Sequence, residues 1–307
     1  MSDEFIWAEK YRPDTINDIL LPAVVKKSLL EYVSADEIPH LLFISGAGRG
    51  KTTTAKALCN DIGAEYLYIN ASDTNGIEVL RTKIGGFAKT KSLYNNKPKI
   101  VILDEFDFAT MNLQAALRSP MEEFSKNVRF IMTANDEYKI HDAIKSRCQL
   151  YNFNIDTPEI KKEMVIQVAK RMMEILKKEN VQCSTDVIIE LIKKLYPDIR
   201  RLINILQKFS YENNGVIDAS VLQYESAGEE LINLIIEKNW TESRKYCLDR
   251  NIVDVYKFLY SHLLPKLSGT TFASALLIIA DYQFKAGTVT DPEIQMAACL
   301  MEIISIL

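Results

Sequence analysis

The sequence predicts an α/β domain with a mostly parallel five-stranded sheet, followed by a small helical domain and a third, all-α domain. Three observations lead there. Five short apolar runs, Leu41 to Ile44, Tyr66 to Asn70, Ile100 to Leu103, Val128 to Thr133 and Leu150 to Phe153, alternate with helical patterns. Strands separated by helices imply crossover connections and a parallel sheet covered on both faces. The first run feeds directly into Ser45-Gly46-Ala47-Gly48-Arg49-Gly50-Lys51-Thr52 and then a helix-favouring stretch, the order strand, glycine-rich turn, helix. Strand signals stop after Asn154. These features divide the chain at residues 1–155, 156–226 and 227–307.

Each later element has its own local signal. Thr157-Pro158-Glu159 reads as a helix start with proline at the first position. Asp198 to Leu206 carries apolar residues at i, i+3, i+4 and i+7, and Asn213-Asn214-Gly215 supplies a stop. Everything after Asn154 therefore reads as helical. From Gly228 onward, further amphipathic helices break near Asn239, Asn251, Ser268-Gly269 and Asp291-Pro292.

Composition excludes several classes. A chain of 307 residues with 48% hydrophobic content can bury well-formed cores, so it is not a disordered protein. No apolar run approaches the 18 or more residues of a membrane span, and Met1-Ser2-Asp3-Glu4 lacks the pattern of a signal peptide. The expectation is a cytoplasmic protein. Cys59, Cys148, Cys183, Cys247 and Cys299 are scattered without metal or redox spacing, and His40, His141 and His262 lie far apart. Acidic residues outnumber basic ones by 41 to 37, so any nucleic-acid contact must be local.

The chemistry gathers at the strand ends. In the glycine-rich turn, successive N–H groups can converge on an anion, and the following helix N-terminus adds partial positive charge. Lys51 would reach the β- and γ-phosphates of a nucleotide, and the Thr52 hydroxyl would hold Mg²⁺. Ser45 departs from the glycine of the strict pattern. Lys99 to Leu103 reads as a buried strand ending in Asp104-Glu105-Phe106-Asp107, where three carboxylates repel one another unless a cation joins them. Asp104 is the candidate metal ligand and Glu105 the base that orients the attacking water. Asn135, at the end of the next strand, faces the crevice where ligands bind in such sheets. Arg147, before the last strand, can stabilise a transferring phosphoryl group. Arg200 and Arg201 fall in the first turn of a helix, a costly place for cations unless an anion is near.

Together these motifs resemble the clamp-loader small subunits of the AAA+ ATPases, the relatives of replication factor C. The matching pieces are Trp7-Ala8-Glu9-Lys10-Tyr11-Arg12-Pro13, Gly46 to Thr53, Asn70-Ala71-Ser72-Asp73, Asp104 to Asp107, Thr133-Ala134-Asn135, Ser146-Arg147-Cys148 and Asp198-Ile199-Arg200-Arg201. Length and Asp-Glu-Phe-Asp look most like the small subunit of a T4-type bacteriophage. The resemblance implies that Ala8, Glu9, Lys10, Tyr11, Arg12, Pro13 and Leu20 hold the adenine of ATP. Gly46, Gly48, Arg49, Gly50, Lys51, Thr52 and Thr53 would cradle its phosphates, with Mg²⁺ on Thr52 and Asp104. Asn135 and Arg200 become sensors, and Arg147 acts on the ATP of a neighbouring subunit. It also implies a five-strand AAA+ domain, a lid and an oligomerising collar, with a sliding clamp, primer-template DNA, identical subunits and one distinct large subunit as partners. Ile84, Phe87 and Ala88 would face the clamp, and Arg81, Lys83 and Arg118 would touch DNA. Asn75 stands where many relatives carry a basic residue. Two other readings stay open: another AAA+ DNA motor or remodelling ATPase, and a ring subunit that binds ATP without hydrolysing it.

Overall fold

The computed structural model describes residues 5–72, 77–90, 97–154, 157–225, 227–249, 255–286 and 291–307. The chain divides into two compact units, Met1–Asp218 and Ala219–Leu307. The expectation for Asn75 lies outside the described residues.

The first unit opens with a short helix α1 (Trp7–Lys10) and α2 (Ala23–Ala35), then alternates strand and helix: β1 (Leu41–Ile44), α3 (Lys51–Ile62), β2 (Tyr66–Asn70), α4 (Ile77–Lys89), β3 (Lys99–Asp104), α5 (Met111–Glu123), β4 (Val128–Ala134), α6 (Asp142–Lys145) and β5 (Gln149–Asn152). The strands form one sheet in the order β2-β3-β4-β1-β5, and every neighbouring pair is parallel. Every residue of β1 and β3 is buried, as helices on both faces demand. The alternation of side chains splits the three central strands, β1, β3 and β4, between two cores. Val101, Leu103, Phe130 and Met132 pack with Leu80, Ile84, Leu113 and Leu117 of α4 and α5, whereas Ile100, Ile102 and Ile131 pack with Leu29 and Leu58 of α2 and α3.

This packing corrects one expectation. Ile84 and Ala88 are buried at 0% and 8% exposure in the first core, and Phe87 packs against it. The apolar stripe of α4 is spent on the sheet, so it is not free to face a clamp.

The first unit continues with α7 (Pro158–Lys178), β6 (Gln182–Cys183), α8 (Thr185–Leu195), α9 (Ile199–Glu212) and β7 (Val216–Ile217). Thr157 caps α7 through Ile160 N–H, with Pro158 in the first turn, as the sequence indicates. The all-helical expectation fails at β6 and β7, which pair in parallel over two residues each. Two-residue strands are too short to carry a readable alternation.

The second unit holds α10 (Ser220–Glu225), α11 (Ala227–Ile236), α12 (Trp240–Asp249), α13 (Val255–His262), α14 (Gly269–Ala286) and α15 (Pro292–Ile306) around Leu231, Leu259, Ile279, Leu300 and Ile303. Asp291 caps α15, and α14 begins at Gly269 with φ +60°. The break near Asn251 lies outside the described residues. α10 groups with this unit, whereas the sequence boundary at 226 falls after it. Among the described residues no helix is long and apolar enough to cross a membrane.

Candidate nucleotide site

The carboxyl ends of β1, β3 and β4 lie side by side, so the segments that follow them meet at one edge. After β1 the chain turns through Gly48 at φ +75° and Gly50 at φ +83°, and α3 starts at Lys51. Only glycine adopts such angles without strain, which explains both positions. Ser45 needs no such freedom. It is fully buried, its N–H donates to Ala134 O and its hydroxyl donates to Gly46 O. Lys51 is 9% exposed, and its Nζ donates to Ser45 O at 2.7 Å, Gly46 O at 2.9 Å and Asn135 Oδ1 at 2.8 Å. Burial lowers its pKa to about 8, against the opposing pull of Asp107, Asp104 and Glu105, while Arg200 adds to the lowering.

Asp104, 7% exposed, accepts hydrogen bonds from three hydroxyls: Thr52 at 2.7 Å and Thr133 at 2.5 Å on Oδ1, and Tyr68 at 2.8 Å on Oδ2. Glu105 follows at φ +53°, a left-handed angle that costs a side-chain-bearing residue roughly 1–2 kcal/mol. Its N–H donates to Thr133 Oγ1 at 3.0 Å. Asp107 is 8% exposed, and its Oδ1 is buried without a hydrogen-bond partner. The paired oxygens of Thr52 and Asp104 are of the chemistry that a hard divalent cation such as Mg²⁺ takes.

A pocket runs from this edge toward the N-terminal segment and α9. Its walls include Ala8, Tyr11, Arg12, Pro13 and Leu20 at one end, Gly48, Arg49, Gly50, Lys51, Thr52 and Thr53 along the loop, and Asp104, Glu105, Asn135 and Arg200. The N-terminal segment is tied down by Trp7 N–H to Gln207 Oε1 at 3.0 Å and by Gln207 Nε2 to Phe5 O at 2.7 Å. Lys10 pairs with Glu179 at 2.6 Å, the Tyr11 hydroxyl also donates to Glu179, and Glu9 pairs with Arg12. Glu9 and Lys10 are therefore exposed and outside the pocket wall. Gly46 is outside it too, its N–H donating to Asn154 Oδ1. At the start of α9, Asp198 caps the helix through Arg201 N–H and lies hard against the glycine-rich loop. A Cβ on Gly48 would stand 2.0 Å from Asp198 Oδ1.

Arg147 stands apart. Its guanidinium pairs with Glu122 at 2.5 Å and donates to Ala143 O at 2.8 Å, away from the pocket wall.

Residues 41–157 match the family model of the ATPase family associated with various cellular activities (AAA). Residues 156–223 match that of the sliding-clamp-loader large subunit, AAA+ ATPase lid domain. The sliding-clamp-loader large subunit of Escherichia phage RB69 is 37% identical over 269 residues, spanning 87% of this chain and 82% of that one. The chain belongs to the sliding-clamp-loader family of AAA+ ATPases. The replication factor C small subunit of Thermofilum pendens is 33% identical over 99% of this chain and 97% of its own. Thus the phage relative is called a large subunit and the archaeal one a small subunit. A Thermotoga maritima RuvB Holliday junction branch migration motor superposes with a TM-score of 0.55 at 16% identity, over 74% of this chain and 80% of that one, which shows the shared fold.

Nucleotide binding and ATP hydrolysis follow from membership of this AAA+ family. In the clamp-loader chain, several residues in or beside the pocket have no individual role legible in the sequence. Ile19, Ile199 and Ile203 line the apolar end, while the Thr133 hydroxyl donates to the Asp104 carboxylate and accepts from the Glu105 backbone N–H. Tyr68 reaches Asp104 from the neighbouring strand. The isoleucines read as core periodicity, and Thr133 and Tyr68 as ordinary strand formers. The histidines hold structural posts: His40 accepts from Phe130 N–H with burial lowering its pKa to about 4, His141 caps α6, and His262 packs edge-on against Phe258.

Proposed function

We propose that this chain is an ATPase subunit of a sliding-clamp loader and that its site is completed at a subunit boundary. The observation that carries the reading is the separation of one group from the rest. Lys51, Thr52, Asp104, Glu105, Asn135 and Arg200 line one pocket, whereas Arg147 is engaged elsewhere. An arginine that serves a phosphoryl group from a neighbouring subunit has that disposition.

The apolar end between Tyr11, Pro13, Leu20 and Ile203 is shaped for a purine base, and Lys51 at the loop is placed for phosphates. Thr52 and Asp104 would hold Mg²⁺, which when bound neutralises phosphate charge. Glu105 accepts the proton of the attacking water and aims it. Asn135 fixes the ammonium of Lys51 and shares in orienting that water, and Arg200 brings the lid's positive charge to the same edge. Hydrolysis then releases a clamp that ATP-bound assembly has opened and set on primer-template DNA. The second unit joins the chain to like subunits and to one distinct subunit. Exposed Arg81, Lys83 and Arg118 contribute backbone contacts to DNA.

The test is ATP turnover by the assembled protein with and without primed DNA and candidate clamps. Stimulation of roughly tenfold or more by the two together is expected, since completing the constellation with an arginine acts on the chemical step. Turnover indifferent to both, or stimulated by duplex DNA alone, would point to a different AAA+ machine.

A further inference from the structure

Where β3 ends, the sheet's own hydrogen bonding gives way to a side chain. Leu103 is paired with Met132, and one residue further on the Thr133 hydroxyl takes over. Thr133 is 1% exposed on β4, and its oxygen makes two bonds at once: it donates to Asp104 Oδ1 at 2.5 Å and accepts from Glu105 N–H at 3.0 Å. That one atom therefore fixes two consecutive acidic residues. The second bond matters more than the first. Asp104 has further hydroxyl donors in Thr52 and Tyr68, whereas Glu105 sits in a left-handed turn that its own side chain disfavours. A strained turn persists only where its surroundings over-determine it, and the Thr133 oxygen is the acceptor that holds its N–H.

We infer that Thr133 is a positioning residue for hydrolysis: its hydroxyl fixes the backbone turn that aims the Glu105 carboxylate. Tyr68, from the strand on the other side, hydrogen-bonds the Asp104 carboxylate and not the Glu105 backbone turn. The inference rests on Glu105 as the base that activates water. It assigns the two hydroxyls different kinetic weights, which a purely structural role would not.

The experiment compares Thr133→Val, Thr133→Ser, Tyr68→Phe and Glu105→Gln in the full chain. Valine keeps the shape of threonine and suits a buried strand, and serine restores the hydroxyl. Thr133→Val should lower kcat roughly 10- to 100-fold, the range expected when a reacting group is misaimed by a fraction of an ångström. Affinity for a fluorescent ATP analogue, read by titration without turnover, should stay within about threefold, because ground-state binding does not use Glu105. Serine should recover most of the rate, and Tyr68→Phe should lose clearly less than Thr133→Val. Wild-type turnover in Thr133→Val, an equal loss in Tyr68→Phe, or an affinity loss that matches the rate loss would each overturn the inference. A fully active Glu105→Gln would instead remove the reading of Glu105 on which it rests. Melting temperatures of all four separate misfolding from misaiming, and if Thr133→Val fails to fold, the comparison of Thr133→Ser with Thr133→Ala decides.

Discussion

Lys51 carries the most direct residue-scale consequence. Its ammonium is held by Ser45, Gly46 and Asn135 yet sits where burial lowers the pKa to about 8. A nucleotide phosphate beside it favours the charged form, so the pKa rises on binding. The sign follows: near pH 7 and below, Lys51 is already largely protonated, and ATP binding should need no further proton there. Above pH 8 binding must also take up a proton. Affinity should therefore be flat from pH 6.5 to 7.5 and weaken above 8, by up to about tenfold per pH unit, until the raised pKa of the complex is reached. Titration calorimetry at pH 8.5 in buffers of different ionisation heat should register proton uptake, and flat affinity to pH 9.5 would contradict the assignment. Lys51 was legible in the sequence because its turn and helix are contiguous. Thr133 and Tyr68 were not, since their partner Asp104 lies on another strand and the pairing exists only through sheet register.

Among the elements, α9 ties the most parts of the site together. Its cap Asp198 abuts Gly48, Arg200 lines the pocket one residue into the helix, and Gln207 two turns on holds the segment leading to Ala8 and Tyr11. Gly48→Ala tests this closeness. The added carbon would meet not only the Asp198 carboxylate but also its Cα at 3.1 Å, and φ +75° penalises any side chain. Rotating the carboxylate away does not relieve the tight contact with the Asp198 Cα, so the start of α9, which carries Arg200, must give by a few tenths of an ångström. Nucleotide affinity should fall at least roughly tenfold, the scale of a misplaced clamp on the ligand, with the melting temperature lowered by only a few degrees. Unchanged affinity in the Gly48→Ala variant would show that the loop and α9 do not move together. The helix itself was readable from its cap and its apolar period. Its seating on the loop was not, because a glycine that spares room for a distant aspartate looks like any turn glycine. The stripe of α4 shows the reverse problem: periodicity reveals an apolar face without naming what covers it, and here the sheet does.

At the scale of the whole molecule, the arrangement predicts a division of labour between copies. If Arg147 serves the neighbour's nucleotide, a subunit has two separable duties, and each can be removed alone. Glu105→Gln keeps Arg147 but cannot activate water, whereas Arg147→Ala keeps its own pocket but cannot complete the next one. Each variant assembled alone should be nearly inactive in DNA-stimulated turnover while still binding ATP. Mixed before assembly, they should regain activity, because some boundaries join an intact pocket of one variant to an intact arginine of the other. In a head-to-tail contact between independently drawn subunits, roughly a quarter of the boundaries are of that kind. The Glu122 ion pair does not oppose this, since a solvent-screened surface pair holds its arginine weakly and yields to a phosphate. Glu122 is 63% exposed, so its charge is already shared with water. Recovery near that fraction, measured as turnover against mixing ratio with a maximum near equal proportions, is the expected result. No recovery at any ratio, with both variants shown to co-assemble, would place Arg147 in the service of its own pocket and dissolve the boundary site.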